Sequence, residues 1–183
     1  MVPIVVEKKK YTYEDYLNTP EDKRYELIDG ELLVTPSPTP YHQRVSRKLE
    51  FILESFITKN NLGEIFYAPC DVYLDNKNVV QPDMLFISQD RLNIIGDKNI
   101  RSAPNLVIEI ISENSVYRDM VQKKRLYARF DVKEYWIVIP EEKEVEVYIL
   151  KGKAYQLYKT YTKVDILESP SLKGLKIGLK EIF

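Results

Sequence analysis

The stretch Asn105-Leu106-Val107-Ile108-Glu109-Ile110-Ile111 is the most apolar in the chain, and it carries a carboxylate in its midst. A run of this length, rich in β-branched residues, predicts a buried strand. An ionised carboxylate inside such a strand is costly unless a cation or hydrogen bonds compensate it. Upstream, Val79-Val80-Gln81-Pro82-Asp83-Met84-Leu85-Phe86-Ile87 repeats the pattern, with one acid among apolar residues. Two lone carboxylates on two core strands point to a divalent metal site.

Composition narrows the remainder. The chain has 183 residues, enough to bury a substantial core in one domain but short for two, so 1–183 is expected to be a single domain. A net charge of −1 gives no global bias toward nucleic acid, and any basic surface must be local. The one cysteine, Cys70, excludes an intramolecular disulfide and fits a reducing compartment. The start, Val2-Pro3-Ile4-Val5-Val6 followed by Lys8-Lys9-Lys10, reverses the order of a secretory signal. No apolar segment is long enough to span a bilayer, and the expected location is cytoplasmic.

Thr12 and Thr19 read as helix starts, the second with Pro20 at the first helical position and Glu21 and Asp22 in the first turn. Tyr25–Ile28 and Glu31–Val34, separated by Asp29-Gly30, form a strong hairpin signal. Its register sets Ile28 opposite Glu31 and Glu26 opposite Leu33. Tyr25, Leu27, Leu32 and Val34 then form the face suited to a core, with both glutamates on the other. An extended, proline-rich connector from Thr35 to Pro40 leads to a helix from Tyr41 to about Lys59, whose Val45, Leu49, Ile52, Leu53, Phe56 and Ile57 recur at helical spacing.

Strands are expected at Glu64–Tyr67, Asp71–Leu74 and Val79–Ile87, then at Glu134–Ile139, Glu144–Leu150 and Ala154–Tyr161. A second helix is expected from about Ser115 to Phe130. The mixed order implies an α/β layer fold with a mixed sheet and an antiparallel C-terminal meander.

On that second helix Val116, Met120, Tyr127 and Phe130 fall on one side, and Lys123 projects into the centre of the stripe, while Lys124, Arg125 and Arg129 fan outward. Lys123 is either a snorkelling lysine or a buried ammonium facing the Glu109 strand. Two carboxylates and an ammonium suit phosphodiester hydrolysis: the acids hold Mg²⁺ or Mn²⁺, and the lysine orients or helps deprotonate an attacking water. The competing reading makes the acids and Lys123 a structural ion cluster with no metal.

These residues also form an ordered set. Gln81-Pro82-Asp83, Glu109 with Ser112, then Asp119, Lys123 and Tyr127 spaced by four, then Glu134-Tyr135-Trp136, resemble the Uma-two family, first catalogued as domain of unknown function eight-twenty. Tyr25-Glu26-Leu27-Ile28-Asp29-Gly30-Glu31 and His42 are similar to its N-terminal signature, and Val145-Glu146-Val147-Tyr148 to its C-terminal meander. The family is placed in the PD-(D/E)XK superfamily and described as restriction endonucleases. The resemblance implies a restriction-endonuclease-like mixed β-sheet flanked by helices, and a Mg²⁺- or Mn²⁺-dependent endonuclease acting on DNA as a homodimer. It also implies Asp83, Glu109 and the backbone carbonyl of Ile110 as metal ligands, joined by a hairpin glutamate.

One position departs from the superfamily pattern. The lysine usually stands two residues after the second acid, where this chain has Ile111, so the ammonium must come from elsewhere, and the resemblance and the helical wheel each choose Lys123. Of the hairpin acids, Glu31 is preferred over Glu26 because it follows the tight turn. His42, the only histidine, reads as a packed or capping residue. Lys8-Lys9-Lys10, Arg44 with Arg47-Lys48, and Lys123-Lys124-Arg125 are possible phosphate contacts. The alternative from another class is an inactive nuclease-fold module for DNA binding, structure or interaction.

Overall fold

The computed structural model describes residues 9–112 and 115–183; the Val2–Val6 run and Lys8 lie outside them. Helix α1 (Tyr13–Leu17) starts where expected: Thr12 Oγ1 accepts from the Asp15 amide, and the Asp15 carboxylate accepts from the Thr12 amide. Thr19 starts no helix. Its hydroxyl donates to the Tyr16 carbonyl, closing the end of α1 and leaving Pro20 to lead into a turn.

Strands β1 (Arg24–Ile28) and β2 (Glu31–Thr35) form the hairpin with the anticipated register. Asp29 and Gly30 both take positive φ, 50° and 76°, as the two-residue turn requires. The expected face meets a core through Leu27, with Tyr25 and Leu32 packed against it, but the opposite face is covered as well. Leu27 is buried, but Val34 is 51% exposed, whereas Glu26 and Ile28 on the opposite face are buried. Both faces of β1 are covered: Leu27 packs with Tyr16 and Val79 on one side, and Ile28 joins the core beneath α3 with Leu126 and Tyr127 on the other.

Thr39 caps α2 (Pro40–Lys59), accepting from the His42 amide, and Pro40 occupies the first turn. Val45, Leu49, Leu53 and Ile57 are buried along one side, each contributing about 1.5–3 kcal/mol of burial. Then follow β3 (Gly63–Tyr67), β4 (Val72–Asp75), β5 (Asn78–Val80), β6 (Met84–Ser88) and β7 (Leu106–Ile110). The expected single strand from Val79 to Ile87 is thus two strands. Pro82 has no amide to donate to a ladder, and the chain leaves one sheet and joins another across Gln81-Pro82-Asp83.

The region expected as one regular helix opens on a π-helical turn, Arg118–Lys123, which runs directly into α3 (Lys124–Arg129). Met120 packs against the core, and Asp119, four residues before Lys123, shares its face. Asp119 is accordingly buried, while Val116, expected in the stripe, is 42% exposed. The chain then builds β8 (Glu134–Ile139), β9 (Glu144–Lys151), β10 (Ala154–Thr162), a small pair β11 (Ile166–Glu168) and β12 (Lys176–Gly178), and α4 (Leu179–Ile182).

The main sheet has the order β10-β9-β8-β7-β6-β3, and the hairpin sheet the order β2-β1-β5-β4. Only β7 and β8 run parallel in the main sheet, so it is mixed, with an antiparallel meander from β8 to β10. Side chains alternate between its faces. Met84, Phe86, Leu106, Ile108, Ile110 and Trp136 pack with α2. Leu85, Ile87, Val107, Tyr135 and Ile137 pack on the other face with Leu126, Tyr127 and Ile28. Glu109 follows Val107 in phase and belongs to the face covered by α3 and the hairpin, whereas Asp83 stands just before β6 and reaches the Ile110 amide and His42 of α2. No helix among the described residues is long and apolar enough to cross a membrane.

Candidate active site

Lys123 is the hub of the charges beneath α3. Its Nζ lies 2.8 Å from Glu26 Oε1, 3.0 Å from Glu109 Oε1 and 3.5 Å from Asp119 Oδ1. All four side chains are 1–5% exposed. The Tyr127 hydroxyl donates to the same Glu109 oxygen at 2.7 Å, and the Gln81 amide donates to Glu26 Oε1 at 2.8 Å. Burial by itself would depress the Lys123 pKa, but the three carboxylates outweigh it and hold the group above the ordinary lysine value. Lys123 therefore stays an ammonium and acts as a donor. Burial also pushes the Glu109 carboxyl well up, with Lys123 opposing, and raises Asp119 in the same way.

Asp83 stands closer to solvent, its side chain 21% exposed. Its Oδ2 accepts from the Ile110 amide at 2.7 Å and lies 3.2 Å from His42 Nε2. This contact gives His42 more than a packing place. Burial lowers the imidazole pKa, and the hydrogen bond and charge of Asp83 reverse that shift to a net rise. Among the described residues, the side-chain hydrogen bonds of Asp83 fall on Oδ2 and those of Glu109 on Oε1. Each acid thus keeps one oxygen outside these bonds.

Asp83, Glu109, Asp119 and Lys123 line a cleft of about 660 Å³ that also reaches His42 and Arg118. Arg118 Nε faces Glu26 Oε2 at 3.8 Å and Asp119 Oδ1 at 3.9 Å, beyond hydrogen-bonding distance. Among the described residues, those two oxygens and Arg118 Nε are buried without a hydrogen-bond partner. Such atoms mark room for a further polar partner.

Glu31, the hairpin acid preferred from the sequence, is not in this cluster; its carboxylate lies 3.7 Å from Lys10. Glu26 takes the inner position instead, because its place on the strand, two residues before the turn end at Ile28, sets it under the π-helical turn. Sequence reasoning undervalued Asp119 as well, although its spacing of four from Lys123 was a usable signal. Of the basic groups, Arg44 and Arg47 line the cleft. Lys48 is tied to the Ile182 carbonyl, Lys10 to the Asp29 carbonyl, and Lys124 sits over the Tyr148 ring.

Four carboxylates, Glu26, Asp83, Glu109 and Asp119, meet two permanent cations here, Lys123 and Arg118. A divalent cation would offset that excess. Oxygen donors suit Mg²⁺ or Mn²⁺, and Mg²⁺ in particular is commonly held by one or two carboxylates plus waters rather than by an all-protein cage. Among the described residues no three His, Cys, Asp or Glu side chains form a metal cage; the donors that suit the ion are the Asp83 and Glu109 oxygens outside the bonds named above. The residues present fit such an ion.

A mixed sheet flanked by helices, with acids and a lysine in one cleft, defines a nuclease-like fold. The chain superposes with a TM-score of 0.78 on the crystal structure of a protein from Anabaena variabilis described as a putative nuclease belonging to DUF820; the match is 18% identical and covers 94% of this chain and 97% of that one. Residues 12–180 match the Uma2 (Uma-two) family, described as "putative restriction endonuclease", and the chain belongs to that family. No curated protein matches it.

Proposed function

We propose that this chain, acting as one domain, is a metal-dependent endonuclease that hydrolyses phosphodiester bonds in DNA. The observation that carries the reading is the convergence of Asp83, Glu109 and the protonated Lys123 on one cleft. In this reading Asp83, Glu109 and the Ile110 carbonyl hold Mg²⁺ or Mn²⁺. The ion, when bound, supplies Lewis acidity and an acidified water.

The chain's own groups do the rest. The Ile110 amide and His42 fix the Asp83 carboxylate. Lys123 and Tyr127 hold one oxygen of Glu109, leaving the other for the ion. The Lys123 ammonium, locked in its charged form, lends positive potential where negative charge builds on phosphate. It serves as a donor and not as the base.

Purified protein with Mg²⁺ or Mn²⁺ is expected to nick plasmid DNA, and Asp83→Ala and Lys123→Ala are expected not to. Nicking that survives Asp83→Ala would remove this site from the reaction. A second readout needs no turnover: Mg²⁺ is expected to raise the melting temperature of the wild type and not of a Glu109→Gln variant. A competing reading, an inactive module on the same fold, draws support from the closed contacts of Lys123 with three acids. It requires that neither the metal shift nor the nicking occurs.

A further inference from the structure

The reacting groups lie in the inner part of the cleft. Glu109 and Lys123 are 4% exposed as side chains, and only Asp83 rises toward the mouth. The connector Thr35–Pro40 forms part of the wall, and the fixed φ of Pro36, Pro38 and Pro40 stiffens it. The volume, about 660 Å³, falls within the range of about 300–1,000 Å³ that holds one compact ligand, hence a nucleotide or two. A continuous duplex is a stiff rod whose phosphate ridges flank grooves about 12 and 6 Å wide. Lying across such a mouth, it keeps each phosphate in a ridge fixed by its paired strand, whereas a single strand is free to turn one phosphate inward.

The rim carries what an unpaired strand uses. Arg44 and Arg47 are exposed on the first turns of α2 and line the cleft, and Tyr67, at the end of edge strand β3, lines it while 56% exposed. Cationic groups that track a backbone, together with an aromatic face that stacks a base, are the shared equipment of single-strand binding. Nothing in the packing of the core asks for an exposed tyrosine there.

We propose that the cleft takes an unpaired DNA strand, with Arg44 and Arg47 on its phosphates and Tyr67 stacked on a base. The inference rests on the nuclease reading and narrows its substrate. Cutting one strand needs no second copy of the chain, whereas the homodimer expected from the resemblance would serve to cut both strands of a duplex.

The test is an end-labelled oligonucleotide given to the protein with Mn²⁺ either alone or annealed to its complement, with Glu109→Ala as the control for contaminating nuclease. The single strand is expected to be cut at least tenfold faster. Tyr67→Ala is expected to raise KM about tenfold with kcat little changed, and Tyr67→Phe, which keeps the ring, to restore it. Equal or faster cutting of the duplex would overturn the inference and leave the nuclease reading standing. An unchanged KM in Tyr67→Ala would overturn the stacking role. Cleavage of neither substrate would overturn the nuclease reading, and metal-free anisotropy with the same oligonucleotides then decides the inference separately. Tighter binding of the single strand, weakened by Tyr67→Ala, supports it; equal binding of both forms, or no binding, sinks it.

Discussion

Glu109 and Glu134 are buried acids on adjacent, parallel strands, yet the two faces of the sheet hold them in opposite ways. On the face packed by α2, Glu134 accepts from Trp136 Nε1 at 2.6 Å, the Ser169 hydroxyl at 2.9 Å and the Ser171 amide at 2.7 Å. These neutral donors come from its own strand and the C-terminal segment, and they engage both carboxylate oxygens. On the other face, Glu109 shares a single ammonium with Glu26 and Asp119, and buried oxygens nearby lack hydrogen-bond partners among the described residues. A buried carboxylate with all its bonds made is a structural tie. One that competes for its cation belongs to a site with a place for something more.

The largest test of that contrast is Lys123→Met. It leaves three buried carboxylates without their common partner, and breaking a buried pair in this way costs about 3–5 kcal/mol. Urea melts are expected to show that loss together with loss of nicking. Stability equal to the wild type would mean that the acids are neutral and the cluster is not ionic. Next is Tyr127→Phe, which deletes the hydroxyl bonded to Glu109 and should cost about 1.5–3 kcal/mol, the range for hydrogen bonds to charged groups. Glu134→Gln turns a donor toward the Ser171 amide or the Ser169 and Trp136 donors, and should cost about 1–3 kcal/mol while nicking persists. A Glu134→Gln variant that folds well but no longer nicks would erase the distinction between the two faces.

Much of this architecture is legible from local pattern. The run at Leu106–Ile110, the strand at Glu134–Ile139, the hairpin register and α2 follow from periodicity and turn chemistry, which depend on neighbours in the chain. What local pattern misses is set by partners far away. The split at Gln81-Pro82-Asp83 exists because β5 and β6 serve different sheets, and the burial of Glu26 exists because β1 is sandwiched between layers. No periodic template of 3.6 anticipates the π-helical turn at Arg118–Lys123. His42 lies one helical cap from a proline connector, and only the fold brings Asp83 within 3.2 Å of it.

The smallest expected effect isolates the cause of the largest. Arg129 Nη2 approaches Asp29 Oδ1 at 2.6 Å, closer than any contact of Lys123, but the two side chains are 50% and 60% exposed. If short distance made an ion pair valuable, this one would rank first. Water screens both charges and solvates whichever partner remains, so Arg129→Ala should cost less than about 1 kcal/mol and should shrink further in high salt. Lys123→Met, measured in the same melts, should keep most of its penalty in high salt, because buried charges are screened far less than exposed ones. A loss from Arg129→Ala comparable to that of Lys123→Met would show that burial is not what separates the cluster under α3 from an ordinary surface pair.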